Sequence, residues 1–557
     1  MMALRSLSLT RTQVFRLSIS TWKTSIHCRY MASSPSKKLF KQLNGSVDIS
    51  SDEYKRNLAK SQHIINKYQQ ILAAATSGGG EKAVARHTQR NKKLLAQDRL
   101  RLLFDDADDA LEVMPLAGIG MKYGDIPRAG ILAVIGKING IYCLVIANDA
   151  TVKAGTIYPI SLTKQLRCMR IVEHCKLPCV FVVDSGGAFL PLQSEIFNPG
   201  GRTFYKEALF NAMGIPQMAI VVGSCTAGAA YVPAMVQEAV IVKKIGTIFL
   251  AGPPLVKAAL GELISPEDLG GADVHCSKSG LTDHYAETEE EAFETGRDIV
   301  ASFNVDPVRL PEGYDEPAFD PEELIGLIPC SEQHFMDMYQ VIARIVDGSR
   351  FQEFKQKYGQ TLITGFAFIK GHLVGLIGNQ GSMTEKAALK GAHFIQVCDQ
   401  RNIPIIFLQN TAPDSESDAV ISGKSIGGHS KLMSAVACCQ VPKITVIVGN
   451  SFGPTNYMMA GRSFDPRFLF SWPNSKICIS EPDVVMKELS ESLSEEQKSK
   501  LTERVETQSN AVYASGRIWD DGVILPQDTR KVLGQCLNII SQKLPAASKT
   551  NYNVMRI

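Results

Sequence analysis

From residue 131 onward the apolar positions fall into short continuous runs, not a helical repeat. Ile131–Ile135 and Tyr142–Ala147 have the length and β-branched content of buried strands. They alternate with helical stretches such as 160–175, and this alternation predicts α/β architecture. Residues 41–100 read instead as charged helix, interrupted by Ser77-Gly78-Gly79-Gly80, with a second helical run beginning at Glu81. A further break spans 306–323. It holds Pro307, Pro311, Pro317 and Pro321 with seven acids, and it predicts an exposed connection between two domains. No apolar stretch reaches the roughly 18 residues of a membrane-spanning helix, so no membrane partner is expected.

The two sides of that break repeat one another. Leu177-Pro178-Cys179-Val180-Phe181-Val182-Val183-Asp184 parallels Ile403-Pro404-Ile405-Ile406-Phe407-Leu408-Gln409-Asn410, and Ile215 through Ser224 parallels Val441 through Asn450. Both pairs stand 226 positions apart. Two buried-type strands, each introduced by an apolar residue and a proline, recur at one offset, which predicts a tandem duplication.

Charge adds an address rather than a ligand. Residues 1–40 contain Arg5, Arg11, Arg16, Lys23, Arg29, Lys37 and Lys38, and the first acid is Asp48. This composition predicts a mitochondrial transit peptide, with a plain basic tail as the alternative. Without these 40 residues, 52 basic residues remain against 56 acids, a balance of −4. The formal +3 therefore belongs to the arm, and no nucleic-acid partner is expected. The thirteen cysteines lack zinc-ligand spacing, so no metal is expected, and they read as buried, reduced thiols.

Candidate chemistry lies in turns. The second strand of the first copy runs into Gly223-Ser224-Cys225-Thr226-Ala227-Gly228-Ala229-Ala230-Tyr231. A helix starting near Gly228 would leave its first N–H groups without internal partners, able to hold an oxygen that becomes negative during reaction. Ser185-Gly186-Gly187-Ala188 comes after the first strand and could form a neighbouring wall or a second donor. No Gly-x-Ser-x-Gly elbow, Walker A motif or Gly-x-Gly-x-x-Gly fingerprint is present, and His174, His275 and His284 have no visible catalytic partner. Chemistry here would depend on backbone donors and a cofactor.

Longer motifs carry a resemblance. Asn148 through Lys153, Val183 through Pro191, Gly223 through Met235, Gly246 through Lys257, Gly270 through His275, Arg344 through Arg350 and Trp519-Asp520-Asp521-Gly522 are similar to the carboxyltransferases of biotin-dependent acyl-CoA carboxylases. The resemblance covers roughly residues 50 to 540 and sits nearest the branch acting on 3-methylcrotonyl-CoA in leucine degradation. Propionyl-CoA and geranoyl-CoA are the alternative substrates. It implies two crotonase-like (ββα-spiral) domains: an N-terminal domain at 41–305 for acyl-CoA, a linker at 306–323, and a C-terminal domain at 324–557 for biotin. It also implies a β-subunit hexamer in the mitochondrial matrix. Biotin would arrive on a separate α subunit, which alone uses ATP; Met121-Lys122-Tyr123 and Met486-Lys487-Glu488 are not biotin-attachment motifs, so no cofactor is expected to be bound covalently to this chain. By the same resemblance Gly228 and Ala229 donate N–H groups to the thioester oxygen. Ala150, Thr151, Val152, Lys153, Gly155 and the turn Ser185, Gly186, Gly187, Ala188 and Phe189 bind the CoA ester.

The second copy departs from the family. Its turn reads Gly449-Asn450-Ser451-Phe452-Gly453-Pro454-Thr455-Asn456-Tyr457, placing Pro454 and Thr455 where the biotin-side oxyanion donors belong. Proline has no N–H to donate. Thr411 through Asp418 and Ser480 through Asp483 replace glycine-rich family segments. The residues thus support two expectations: an active carboxyltransferase with a weakened biotin-side hole, or a catalytically impaired paralogue that binds acyl-CoA or joins the carboxylase without turnover.

Overall fold

A computed structural model describes residues 39–330, 336–411, 423–480, 482–490, 493–544 and 554. The basic arm therefore lies outside the described residues except at its end, as do 412–418 of the first departing segment. The strands of the first half are β1 (Lys41–Gln42), β2 (Leu111–Glu112), β3 (Ile131–Ile138), β4 (Ile141–Asn148), β5 (Cys179–Ser185), β6 (Gln217–Thr226), β7 (Glu238–Val242), β8 (Thr247–Phe249) and β9 (His284–Ala286). Those of the second half are β10 (Arg350–Glu353), β11 (Leu362–Ile369), β12 (His372–Asn379), β13 (Ile405–Gln409), β14 (Lys443–Ile447), β15 (Asn450–Phe452), β16 (Phe468–Ser471) and β17 (Lys476–Cys478).

Each half opens with a hairpin and continues in parallel. Asn139 and Gly140, both at positive φ, close the two-residue turn between β3 and β4; Lys370 and Gly371 do the same between β11 and β12. Helices Pro159–Cys175 and Gln193–Ala212 then carry the chain across to β5 and β6, and Glu385–Gln400 and Gly423–Cys438 carry it to β13 and β14. Every residue of β5, β13 and β14 is buried, which is why these segments read as mainly apolar runs without alternation.

The duplication reaches the register. Cys179 pairs with Gln217 and Val183 with Val221; 226 residues later Ile405 pairs with Lys443 and Gln409 with Ile447. The same offset relates two fully buried lysines, Lys164 and Lys390. Lys164 Nζ donates to the carbonyls of Met114, Arg128 and Ile131, tying three segments together.

The chain ends do not keep to their own halves. The expected first domain begins at 41, yet β1 pairs with β10 at the edge of the second sheet. Pairing there covers an edge whose backbone groups would otherwise lack partners. Helix Asp52–Thr76 sends Tyr68 Oη to the Val523 carbonyl, and Gln542 near the other end bonds both the N–H and the carbonyl of Tyr142 on β4. The connection at 306–323 is strapped to the second half by ion pairs Asp315–Arg350 (2.6 Å) and Glu316–Arg530 (3.0 Å). From Phe40 onward the chain packs as one unit.

Helix Gln193–Ala212 carries a buried acid. Neither oxygen of Glu207 has a hydrogen-bond partner among the described residues, and Asn211 Oδ1 and Gln217 Oε1 are likewise unpartnered. Burial pushes the Glu207 carboxyl up to about 8 from 4.5, so it is protonated at neutral pH. A raised acid favours folding most below its unfolded value, and that advantage is lost as pH rises from about 4.5 to about 8. Glu207→Gln keeps the shape and removes the ionisation. It is expected to leave stability unchanged at pH values below about 4.5 and to raise it by roughly 2–3 kcal/mol at neutral pH, measured by urea unfolding across the range.

Candidate active site

The site of the first half is built where two strands end. Between β5 and β6 the register jumps, with Val183 opposite Val221 but Ser185 opposite Cys225, so Val222, Gly223 and Ser224 bulge out of the ladder. A bulge bends its strand and re-aims the residues beyond it. Here those residues are Ala227, at φ 55°, and a short helical turn over Ala227–Ala230. No acceptor faces the N–H of Gly228 or Ala229 among the described residues. Both residues line a cavity of about 670 Å³. Its inner wall is apolar, with Ile131, Ile146, Phe181 and Val183 from the sheet and Leu162 and Ile196 from the helices. Phe204 stands over the turn: a Cβ on Gly228 would lie 3.6 Å from its ring, which also packs edge-on against Tyr231 at 5.6 Å.

The structure divides the expected ligand-binding residues into two layers. Ser185, Gly187 and Ala188 line the cavity beside Gly228 and Ala229. The two turns touch, since a Cβ on Gly187 would come within 3.1 Å of the Thr226 carbonyl. Ala150, Thr151, Val152, Lys153, Gly155, Gly186 and Phe189 are not part of its lining. They support it. Thr151 Oγ1 bonds Asp149 and accepts from the Gly79 N–H, Gly155 offers its carbonyl to Ser185 Oγ, and Phe189 stacks on Tyr158 at 4.6 Å. Lys153 is exposed at positive φ.

Sequence reasoning missed a charge cluster behind these turns. Asp184 accepts from Lys93 Nζ at 3.1 Å and from Arg99 Nη1 at 3.5 Å. Arg99, fully buried, also binds Glu289 at 2.6 Å and the Val222 carbonyl at 3.1 Å. Lys93 and Arg99 come from the charged segment before the first sheet, and Glu289 from helix Glu289–Ala301. Only the three-dimensional fold brings these residues together.

The second turn repeats the backbone path with fewer donors. Gly453 takes φ 55°, as Ala227 does, and Pro454 (φ −61°, ψ −21°) opens the helical turn Thr455–Met458. The Asn456 N–H is spent on the Gly453 carbonyl at 3.1 Å, and those of Tyr457 and Met458 on the Pro454 carbonyl. Thr455, itself buried, keeps an N–H with no acceptor among the described residues. Pro454, Asn456 and Tyr457 line a cavity of about 860 Å³ that is closed by Val485, Leu489, Leu501 and Val505 of helices Pro482–Ser490 and Glu495–Ser509.

Ser185 lines the first cavity and Ser451 and Cys478 the second, but among the described residues no histidine lines either one to act as their base. Cys225 lies beside the first turn, but burial raises its thiol well above the ordinary range and keeps it protonated. His275 is held by the Ile248 carbonyl and Ser279, and His284 faces Glu238. Burial pushes His174 down to about 4 despite Asp465 at 3.4 Å. The twelve described cysteines are all unpaired, and no group of three potential metal ligands occurs among the described residues.

Residues 86–554 match the carboxyl transferase domain family. The chain is 45% identical over 554 residues to the probable mitochondrial methylcrotonoyl-CoA carboxylase beta chain of Drosophila melanogaster, covering 92% of this chain and 95% of that one. It is 45% identical over 523 residues to the mitochondrial methylcrotonoyl-CoA carboxylase beta chain of Arabidopsis thaliana, covering 89% of each. Among solved structures, the beta subunit of P. aeruginosa geranyl-CoA carboxylase superposes with a TM-score of 0.83 at 35% identity, over 93% of this chain and 100% of that one.

Proposed function

Since the chain belongs to the carboxyl transferase domain family, we propose that it is the carboxyltransferase subunit that moves a carboxyl group from carboxybiotin to 3-methylcrotonyl-CoA. The observation that carries this reading is the pair of unpartnered N–H groups of Gly228 and Ala229 on the wall of an apolar cavity. The acyl chain enters that cavity beneath Phe204, and the thioester oxygen lies on the two donors. They would stabilise the charge that grows on this oxygen as the acyl carbon gives its proton to the biotin nitrogen vacated by the carboxyl group, each donor lowering the barrier by about 3 kcal/mol. The Ser185–Phe189 turn meets the CoA ester through Ser185, Gly187 and Ala188, exposed Lys153 reaches toward its CoA portion, and the buried Thr151, Val152 and Gly155 brace the turn from behind.

Carboxybiotin, carried on a separate biotin-bearing α subunit that uses ATP, supplies the carboxyl group. At the second turn its ureido oxygen would have a single donor within reach, the N–H of Thr455, a buried residue beside the cavity lining of Pro454 and Asn456, in place of the pair found at the first turn. The first half serves the CoA ester and the second half serves biotin, in a β-subunit hexamer in the mitochondrial matrix reached through the basic arm at 1–40. Support comes from the relatives' names, the arm's composition and the cavity at each turn.

Pro454 favours a second reading: an impaired paralogue that binds acyl-CoA without turnover. Loss of one donor there costs about 3 kcal/mol, or roughly a hundredfold in rate. The deciding experiment supplies biotinylated α subunit, ATP, bicarbonate and 3-methylcrotonyl-CoA. Carboxylation at the rate of a family member with an intact second turn rules out impairment. Tight binding of the CoA ester with no product rules out the carboxyltransferase. Pro454→Ala restores an N–H, and a gain of about a hundredfold in kcat is expected if the second turn limits the reaction.

A further inference from the structure

We infer that Asp184 is a positioning residue for the acyl-CoA site, holding the bulge of β6 so that the N–H groups of Gly228 and Ala229 face the thioester oxygen; this rests on the acyl-CoA reading of the first cavity. Asp184 lies at the end of β5, directly before the Ser185–Phe189 turn, and it is buried. It touches all three segments that build the site. A Cβ on Gly223 would fall 1.9 Å from Asp184 Oδ1, so the carboxylate lies directly against the bulged glycine. A Cβ on Gly155 would fall 2.1 Å from the Asp184 carbonyl, which seats the 150–155 loop. The Asp184 N–H donates to Asn148 Oδ1 at 3.3 Å, fixing the end of β4.

The carboxylate is held in turn. Arg99 grips Asp184 and the Val222 carbonyl of the bulge at once, so one guanidinium joins the acid to the backbone it supports. Lys93 binds both oxygens of the acid, and Glu289 completes a cluster of two cations and two anions. The other half supplies an internal comparison. Asn410, at the equivalent place, lies against Gly449, where a Cβ would be 2.2 Å from Asn410 Oδ1, and it receives the Asn450 N–H. A neutral amide therefore fills the same space. Charge at this position occurs in the half whose turn keeps both donors. A bulge clamped from two sides cannot relax its backbone N–H groups toward other acceptors, and fixed donors are what stabilise a developing oxyanion.

The test uses the full chain and 3-methylcrotonyl-CoA isotopically labelled at the thioester carbonyl. Infrared difference spectra of the bound ester report how strongly the carbonyl is polarised, with no need for turnover. Asp184→Asn copies the residue of the second half. It is expected to bind the ester within about threefold of wild type, while the red shift of the bound carbonyl falls by more than half. With biotinylated α subunit, kcat is expected to fall by about tenfold or more at little-changed KM. A variant that keeps the wild-type carbonyl shift overturns the inference, as does one that loses affinity and shift in the same proportion. Absence of a shift in the wild type overturns the acyl-CoA reading itself, and the inference with it. Should Asp184→Asn fail to fold, Lys93→Met leaves the acid paired with Arg99; a smaller loss of the shift supports the inference, and an unchanged shift overturns it.

Discussion

The double substitution Ala227→Gly, Gly228→Pro is expected to lower kcat for carboxylation by about a hundredfold to a thousandfold, with KM and thermal midpoint close to wild type. The pair rebuilds Gly453-Pro454 in the first half. Ala227 and Gly453 both take φ 55°, and Pro454 at φ −61° shows that the backbone path accepts proline at the next position. Proline is well suited to the first position of a helical turn, where its missing N–H breaks no internal bond. Glycine at 227 matters because a residue preceding proline is restricted, more so with a Cβ at positive φ. The substitution therefore deletes one donor and little else. Steady-state kinetics with the biotinylated α subunit, alongside thermal unfolding, checks it. A kcat within about threefold of wild type would falsify the assignment of Gly228 as an oxyanion donor.

Asp521→Ala is expected to destabilise the chain by about 3–5 kcal/mol. Asp521 is fully buried and accepts from Arg167 Nε and Nη2, each at 2.8 Å, from Arg462 Nη2 at 2.8 Å, and from the Leu469 N–H at 2.8 Å. Arg167 lies on helix Pro159–Cys175 of the first half, whereas Arg462 and Asp521 belong to the second, so the cluster pins the halves together. Removing the acid leaves two guanidiniums facing each other with their best partner gone. The pH dependence has a defined sign. Burial would raise the Asp521 carboxyl, but Arg167 and Arg462 outweigh it and hold it at about 2. Its contribution is present above the unfolded value near 3.8 and is lost as pH falls through about 2. Neighbouring Asp520 moves the other way, raised to about 6 by burial, so it adds stability as pH falls from about 6 toward 3.8. Urea unfolding from neutral pH to pH values near 2 should show the variant losing the acid limb that Asp521 produces while keeping the rise due to Asp520. A loss of stability below about 1 kcal/mol would show that water replaces the missing carboxylate.

Much of the architecture was legible because duplication preserves spacing. Two apolar runs at the same offset marked strands that pair in the same register, Cys179 with Gln217 and Ile405 with Lys443. Glycine, alanine and proline in the turns announced which residues could donate an N–H, since that depends on residue type. Sequence spacing does not record which partner an N–H or a charge finds. The Asn456 N–H is consumed by Gly453, and Thr455 retains its own, a distinction made by a single turn of backbone. Lys93 and Arg99 read as ordinary members of the charged helical segment 41–100, although they reach Asp184 from 85 or more positions away and Glu289 joins them through Arg99. The short strand at Lys41–Gln42 read as part of the first domain because chain order is the only neighbourhood a sequence displays; its hydrogen bonds run to Arg350 and Phe351.

By itself the amino-acid sequence determined the α/β pattern, the duplication, the family and the asymmetry between a turn with Gly228 and one with Pro454, because each is a matter of local residue chemistry or of spacing along the chain. Tertiary structure alone decided which of the expected binding residues face the cavity, which donors stay free and which buried charges brace them. Those outcomes depend on contacts between segments far apart in sequence, where burial turns an ordinary aspartate into the support of a reactive turn.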